Sequence, residues 1–315
     1  MSITITGGIT LNGGGFTIVA PPAGSKAIFG YGYSHSLATS VSMTNLVTNT
    51  GVVGNDVTGV GTARNSLGAA GYGTDKAIFG YGSATLYESM TNLVTNTGVV
   101  GNDVTGVGTA RNSLGAATYG TDKAIFGFGL ASGTYVSITN LVSNTGVVST
   151  DTAGVGQVRD RLTAAGYGTD KAIFGYGFKS GESPPNFSIT NLVSNTGVVG
   201  NDVTGVGTIR NYLAAAGYGT DKAIFGYGNT PGGAVSMTNL VSNTGVVASD
   251  TTGVGTARIF PSAAGYGVGT AIFGYGTAGG VGYSMTNLVS NTGVVGNDVT
   301  GVGTARSGTG AASYG

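Results

Sequence analysis

Apolar residues occur in runs too short for helices, each cut by glycine, threonine, asparagine or aspartate. In the run KAIFGYG that begins at Lys26, alternation predicts Ala27, Phe29 and Tyr31 on one face of a strand and Ile28 on the other. Apolar residues on both faces predict that both are covered, as when small sheets stack side by side. No segment holds a 3.6-residue period, and glycine interrupts every helical candidate, so helix is disfavoured. AAAGYG followed by Gly219-Thr220-Asp221 and a second KAIFGYG reads as a hairpin. A variable loop, SMTNLVSN, an Asn-Thr-Gly turn and a short piece opening Val-Val complete a set of four strand-like segments, each about 5–6 residues long.

This set recurs. KAIFGYG or a close variant begins at Lys26, Lys76, Lys123, Lys171, Lys222 and, altered, at Thr270; TNLV begins at Thr44, Thr91, Thr139, Thr190, Thr238 and Thr286. An Arg followed by small residues and Tyr-Gly starts at Arg64, Arg111, Arg159, Arg210, Arg258 and Arg306, and every series has a period of 47 to 51 residues. An open array needs atypical, polar-faced end repeats. Here the end units are as regular as the others, and the first one, at Lys26, lacks its own AAAGYG strand. The chain supplies that strand at Gly310-Ala311-Ala312-Ser313-Tyr314-Gly315. The expected fold is all-β: a six-bladed β-propeller over residues 26–315, closed by pairing of the C-terminal strand with the first blade. Residues 1–25 lie outside the repeats and are expected to form a β segment for attachment or oligomerisation.

Composition sharpens this picture. The chain holds 62 glycines, yet 40% of residues are hydrophobic and 8% are charged, which favours order over disorder. With 13 basic and 13 acidic residues and no run of either sign, there is no basic stripe for a nucleic acid. No apolar stretch approaches the ~18 residues of a spanning helix, so membrane insertion is not expected. The N-terminus has neither a basic n-region nor a continuous apolar core, so no secretory signal is expected. Cysteine is absent, which excludes disulfides and thiolate metal sites.

Most charges are periodic. Asp56, Asp103, Asp151, Asp202, Asp250 and Asp298 recur once per unit, as do the six arginines. Residues repeated in every unit ordinarily answer a structural need: the Asn-Asp pair capping a turn, the Arg pairing with an Asp of its own or a neighbouring unit. The functional alternative, a ring of carboxylates around a cation, would need further oxygen ligands. Outside the periodic set stand Glu88, Asp160, Arg161, Lys179, Glu182 and the single His35. Glu88 and Glu182 fall in non-adjacent units, too far apart for a glycosidase pair. His35 alone cannot supply a nucleophilic triad. No catalytic site, metal or cofactor is expected.

The variable segment between KAIFGYG and TNLV changes in every unit. It carries the expected binding residues: Tyr33, His35, Tyr87, Glu88, Tyr135, Phe178, Lys179, Glu182, Phe187 and Tyr283. Ring symmetry predicts that these loops share one face.

The stretch RNYLAAAGYGTDKAIFGYG, from Arg210 to Gly228, resembles the kelch repeat and, more loosely, the RCC1-type repeat. That resemblance implies four-stranded propeller blades and leaves function open, because propellers host many functions. The opening ITITGGITLNGGG resembles the N-termini of many tailed-phage structural proteins. It implies a virion protein of fibre, tail or capsid surface, assembled in the host cytoplasm and exposed outside the cell. The N-terminal segment would dock on other virion proteins and the variable loops on a host glycan or protein. A kelch-type cellular interaction scaffold is the alternative, and a glycan depolymerase the least favoured reading.

Overall fold

The computed structural model describes residues 9–12, 15–18 and 25–315. The chain is all-β, with several small antiparallel sheets and no helix among the described residues. Ile9–Asn12 pairs with Gly15–Ile18 as a separate hairpin, and Ser25 bridges to Gly267; the rest of the N-terminal segment lies outside the described residues, and with it the expected docking role.

Each repeat builds one main sheet, and the first, fifth and sixth units add a second small one. In the second unit Gly68–Tyr72, Lys76–Ser83 and Tyr87–Val94 lie side by side. In the first unit the order is Gly310–Tyr314, Lys26–Gly30, Thr44–Val47, with Tyr314 opposite Lys26 and Gly310 opposite Gly30. The expected pairing of the C-terminal strand with the first unit is therefore present. The fourth segment is shorter than expected. It is a strand only at Val199–Val203, and elsewhere it shrinks to isolated bridges such as Val47 to Val53 and Thr44 to Val57. Its first valine turns to solvent in every unit, with Val52 61% and Val198 65% exposed.

The middle strands carry the core. Ala77, Ile78 and Phe79 have no solvent exposure, and the same holds in the other units. Phe79 packs with Ile28 and Tyr31 of the first unit, so each apolar cluster spans two sheets. This placement corrects the predicted alternation: Tyr31 lies on the Ile28 side and not with Phe29. The reason is local. Tyr31 has φ 62°, and a left-handed residue breaks the two-residue period. The Gly before it is needed for contact, since a Cβ on Gly30 would lie 2.6 Å from Phe79 Cζ.

The periodic arginines are fully buried. Arg64 donates from Nη2 to Asn92 Oδ1 at 2.7 Å and from Nε to the Tyr81 carbonyl at 2.8 Å. Its guanidinium lies 4.4 Å over the Tyr31 ring of the preceding unit. The expected Asp partner is secondary: Asp103 is 3.9 Å away and instead accepts from Thr62 N, Thr62 Oγ1 and Asn92 Nδ2. Burial pushes the Asp103 carboxyl up, but these hydrogen bonds outweigh it and the net shift is downward. The same contacts cross the chain ends, with Thr304 donating to Asp56 and Arg306 to Asn45.

The first strands pack against one another through small residues. At one end a series of backbone hydrogen bonds runs Ser113 to Ser66, Ser66 to Gly308, Gly308 to Phe260, Phe260 to Tyr212, Tyr212 to Arg161 and Arg161 back to Ser113. At the other end Gly315 donates to Asp75, Gly73 to Asp122, Gly120 to Asp170, Gly168 to Asp221, Gly219 to Gly269 and Gly267 to Ser25.

Candidate functional site

The residue after each periodic Arg pairs at the far end of the middle strand or with the short strand that follows it: Asn65 with Ser83, Asn112 with Leu130, Asp160 with Phe178, Asn211 with Asn229, Ile259 with Thr277, Ser307 with Tyr33. The variable loops leave the middle strands at this same end. The next residue in each unit belongs to the first hydrogen-bonded series, and all six of these have φ between 52° and 60°. Here the repeat breaks down. Ser66, Ser113 and Gly308 are small, whereas Arg161, Tyr212 and Phe260 are large, and they line a common cavity of about 110 Å³. The cavity at the opposite end, about 250 Å³, is walled by residues that recur, such as Tyr119, Tyr167 and Tyr218. Chemical asymmetry is thus concentrated where the variable loops are.

The large residues form one stack. Arg161 lies 4.3 Å over Phe178 and 4.8 Å over Tyr212, and the Tyr212 and Phe260 ring centroids are 3.6 Å apart. Cation–π contact of this kind holds a guanidinium flat without using its N–H groups. Arg161 Nε is 3.5 Å from Asp160 Oδ2, and its guanidinium makes no hydrogen bond among the described residues. Asp160 itself is 1% exposed, and its Oδ1 has no hydrogen-bond partner among the described residues. Burial pushes its carboxyl up to about 6, against the opposing pull of Arg161. Burial also pushes the Tyr212 hydroxyl up to about 12.

Of the sequence-predicted residues, Phe178 is part of this stack, and Tyr135 adjoins it at 6.4 Å from the Phe178 ring. The Tyr135 hydroxyl accepts from Ser180 N at 3.2 Å, tying the third unit's loop to the fourth. Lys179 and Glu182 pair with each other at 2.8 Å in the neighbouring loop. The others lie apart. Tyr33 meets His35 edge-on at 5.3 Å, and His35 Nε2 is 3.0 Å from Ser307 Oγ. Tyr87 faces Ser83 across the ladder. Glu88, Phe187 and Tyr283 hold one repeat position, where their carbonyls accept from Arg111, Arg210 and Arg306.

Tyr212 and Phe260 were not among the predicted site residues, nor was Arg161. Their signal was available: the two residues after each periodic Arg read NS, NS, DR, NY, IF and SG. Among the described residues no group of three or more His, Asp or Glu side chains is placed to hold a metal ion. Each periodic Asp but Asp202 takes hydrogen bonds from a threonine and an asparagine, and Asp202 takes them from Gln157 N and Asn191. No protein-family model matches the chain, and no curated protein matches it, so the kelch-like, RCC1-like and phage-like resemblances rest on the residue patterns.

Proposed function

We propose that the chain is a closed six-bladed β-propeller that serves a tailed-phage particle as a structural and binding protein. The two series of backbone hydrogen bonds support closure, because one returns to its starting unit through Gly308 and the other joins the first unit to its neighbours on both sides through Gly315 and Ser25. A ring without free edges suits a protein that must persist outside the cell with no disulfides.

In this reading the variable-loop end contacts a host glycan or a second particle protein, and the N-terminal segment docks on the virion. One observation carries it. The residues that depart from the repeat in size and charge gather at the same end of the molecule as the loops that depart from it in length. A rigid frame with diversified contacts on one side is the usual design of a recognition surface. We assign it binding and no catalytic step: Asp160 is the only fully buried carboxylate among the described residues, and it sits beside a cation.

The test is a loop exchange. Residues 179–185 lie between the paired Phe178 and Asn186, and residues 230–233 between the paired Asn229 and Ala234. Replacing the first segment by the second should weaken binding of labelled chain to host surface polysaccharide or particle protein by about tenfold or more, with the melting temperature nearly unchanged. Undiminished binding would remove the loops from the recognition surface.

A further inference from the structure

The mouth lined by Arg161, Tyr212 and Phe260 has the composition of a ligand site in its own right. The six periodic arginines are fully buried and each meets an asparagine oxygen, as Arg64 meets Asn92 and Arg111 meets Asn140. Arg161 differs in each respect. Its side chain is 28% exposed, it sits at the cavity wall, and among the described residues it donates no side-chain hydrogen bond. Phe178 and Tyr212 hold its plane and Nε lies 3.5 Å from Asp160 Oδ2, so the two Nη groups are what remains for a ligand. A planar guanidinium presented in this way matches a carboxylate, which can accept two parallel N–H bonds.

The rest of the mouth fits a sugar ring. Phe260 ends the stack, and the next position in the ring is Gly308, which puts no side chain beside it. Aromatic faces pack against the apolar face of a pyranose. Ser66 and Ser113 complete the circuit: Ser66 Oγ already donates to Asn65 Oδ1 at 2.8 Å and can accept from a ring hydroxyl, and the Ser113 hydroxyl can donate or accept. The cavity of about 110 Å³ is far larger than the roughly 10–15 Å³ that holds one water. We infer that this mouth binds a sugar ring bearing a carboxylate, with Arg161 taking the carboxylate, Phe260 the apolar ring face, and Ser66 and Ser113 the hydroxyls. The inference rests on the reading of this end of the molecule as a glycan-recognition surface, and narrows it to acidic sugars.

The experiment compares methyl glucuronide with methyl glucoside by ligand-observed NMR titration of the full chain. The two probes differ at C6 alone, a carboxylate in one and a hydroxymethyl group in the other. The glucuronide is expected to bind at least about tenfold more tightly. Arg161→Gln should bring it to the level of the glucoside, whereas Phe260→Ala should weaken both sugars together. Should Arg161→Gln fail to fold, Ser113→Glu serves instead. Its ring position has the same left-handed backbone that Arg161 tolerates, and the added carboxylate should abolish the preference for the charged sugar. Equal affinity for the two glycosides, or a preference that survives both substitutions, overturns the inference. The exchange of residues 179–185 leaves Phe178 and Arg161 in place and separates the two readings. Loss of surface binding in that variant, with no glucuronide preference in the parent chain, sinks the acidic-sugar site and keeps the recognition face.

Discussion

Tyr314 lies opposite Lys26 in an antiparallel ladder, so the last described strand is the first strand of the first sheet. Tyr314 is 3% exposed and Ala312 4%, and both belong to the cluster that contains Ile28 and Phe79. Removing residues 311–315 would strip one strand's ladder bonds and uncover that cluster. Burial of a large apolar side chain stabilises by about 1.5–3 kcal/mol, and the lost backbone pairing adds to it. We expect a loss of about 3 kcal/mol or more, read as a clear fall in melting temperature. An unchanged melting curve would refute closure through this strand.

Arg111 should be among the most costly residues to truncate. It donates to Asn140 Oδ1 at 2.7 Å and to the Phe128 carbonyl at 2.9 Å, and lies 4.2 Å over the Tyr81 ring. Arg111→Ala leaves those acceptors buried and unmatched, a change in the range of about 3–5 kcal/mol. Lysine has no fork and no flat face, so Arg111→Lys should recover little of the loss. Urea unfolding of the two variants decides the matter. A lysine variant as stable as the parent would mean that charge alone is needed.

The repeat, the all-β class and the pairing of the C-terminal strand were legible because each follows from spacing along one chain. The side of the sheet that Tyr31 occupies was not, since alternation presumes extended backbone and Tyr31 is left-handed. The periodic Arg does lie within 4 Å of the expected Asp, as Arg64 does of Asp103, but its shorter side-chain contact was not legible for a related reason. Charge suggests Asp, but the buried end of the side chain lies beside Asn92, while Asp103 is engaged by Thr62. Arg161, Tyr212 and Phe260 come from three different units, and only the ring of backbone hydrogen bonds places them together.

Gly80 and Phe126 should behave as one packing unit. A Cβ on Gly80 would lie 2.7 Å from Phe126 Cζ, and Phe126 has no exposure. Overpacking of this kind costs about 1–3 kcal/mol. Gly80→Ala should therefore destabilise by that amount in the parent, and by distinctly less where Phe126→Leu has already removed the ring edge. A double-mutant cycle by chemical denaturation measures the difference. Strict additivity would show that the glycine is needed for its backbone and not for the ring that faces it.

Asp160 gives the chain a specific pH signature. Its folded carboxyl is pushed up to about 6, first by burial, while an unfolded Asp titrates near 3.8. Between those values the folded state holds the proton that the unfolded state has released, so stability falls as pH rises through this window. The sign is opposite for Asp103 and Asp151, whose folded carboxyls are lowered and whose stabilisation fades on acidification. The parent's total pH profile mixes the two, and a variant at Asp160 isolates one. Asparagine already stands at the equivalent positions Asn112 and Asn211, so Asp160→Asn is a substitution that this frame accommodates. At pH 8 it should stabilise the chain by about 1–3 kcal/mol, the scale of two pK units at 1.36 kcal/mol each. At pH 4, where folded Asp160 is protonated and uncharged, the gain should all but vanish. Urea midpoints of parent and variant from pH 4 to pH 8 provide the test, and a difference that does not change with pH would show that Asp160 stays ionised in its buried place.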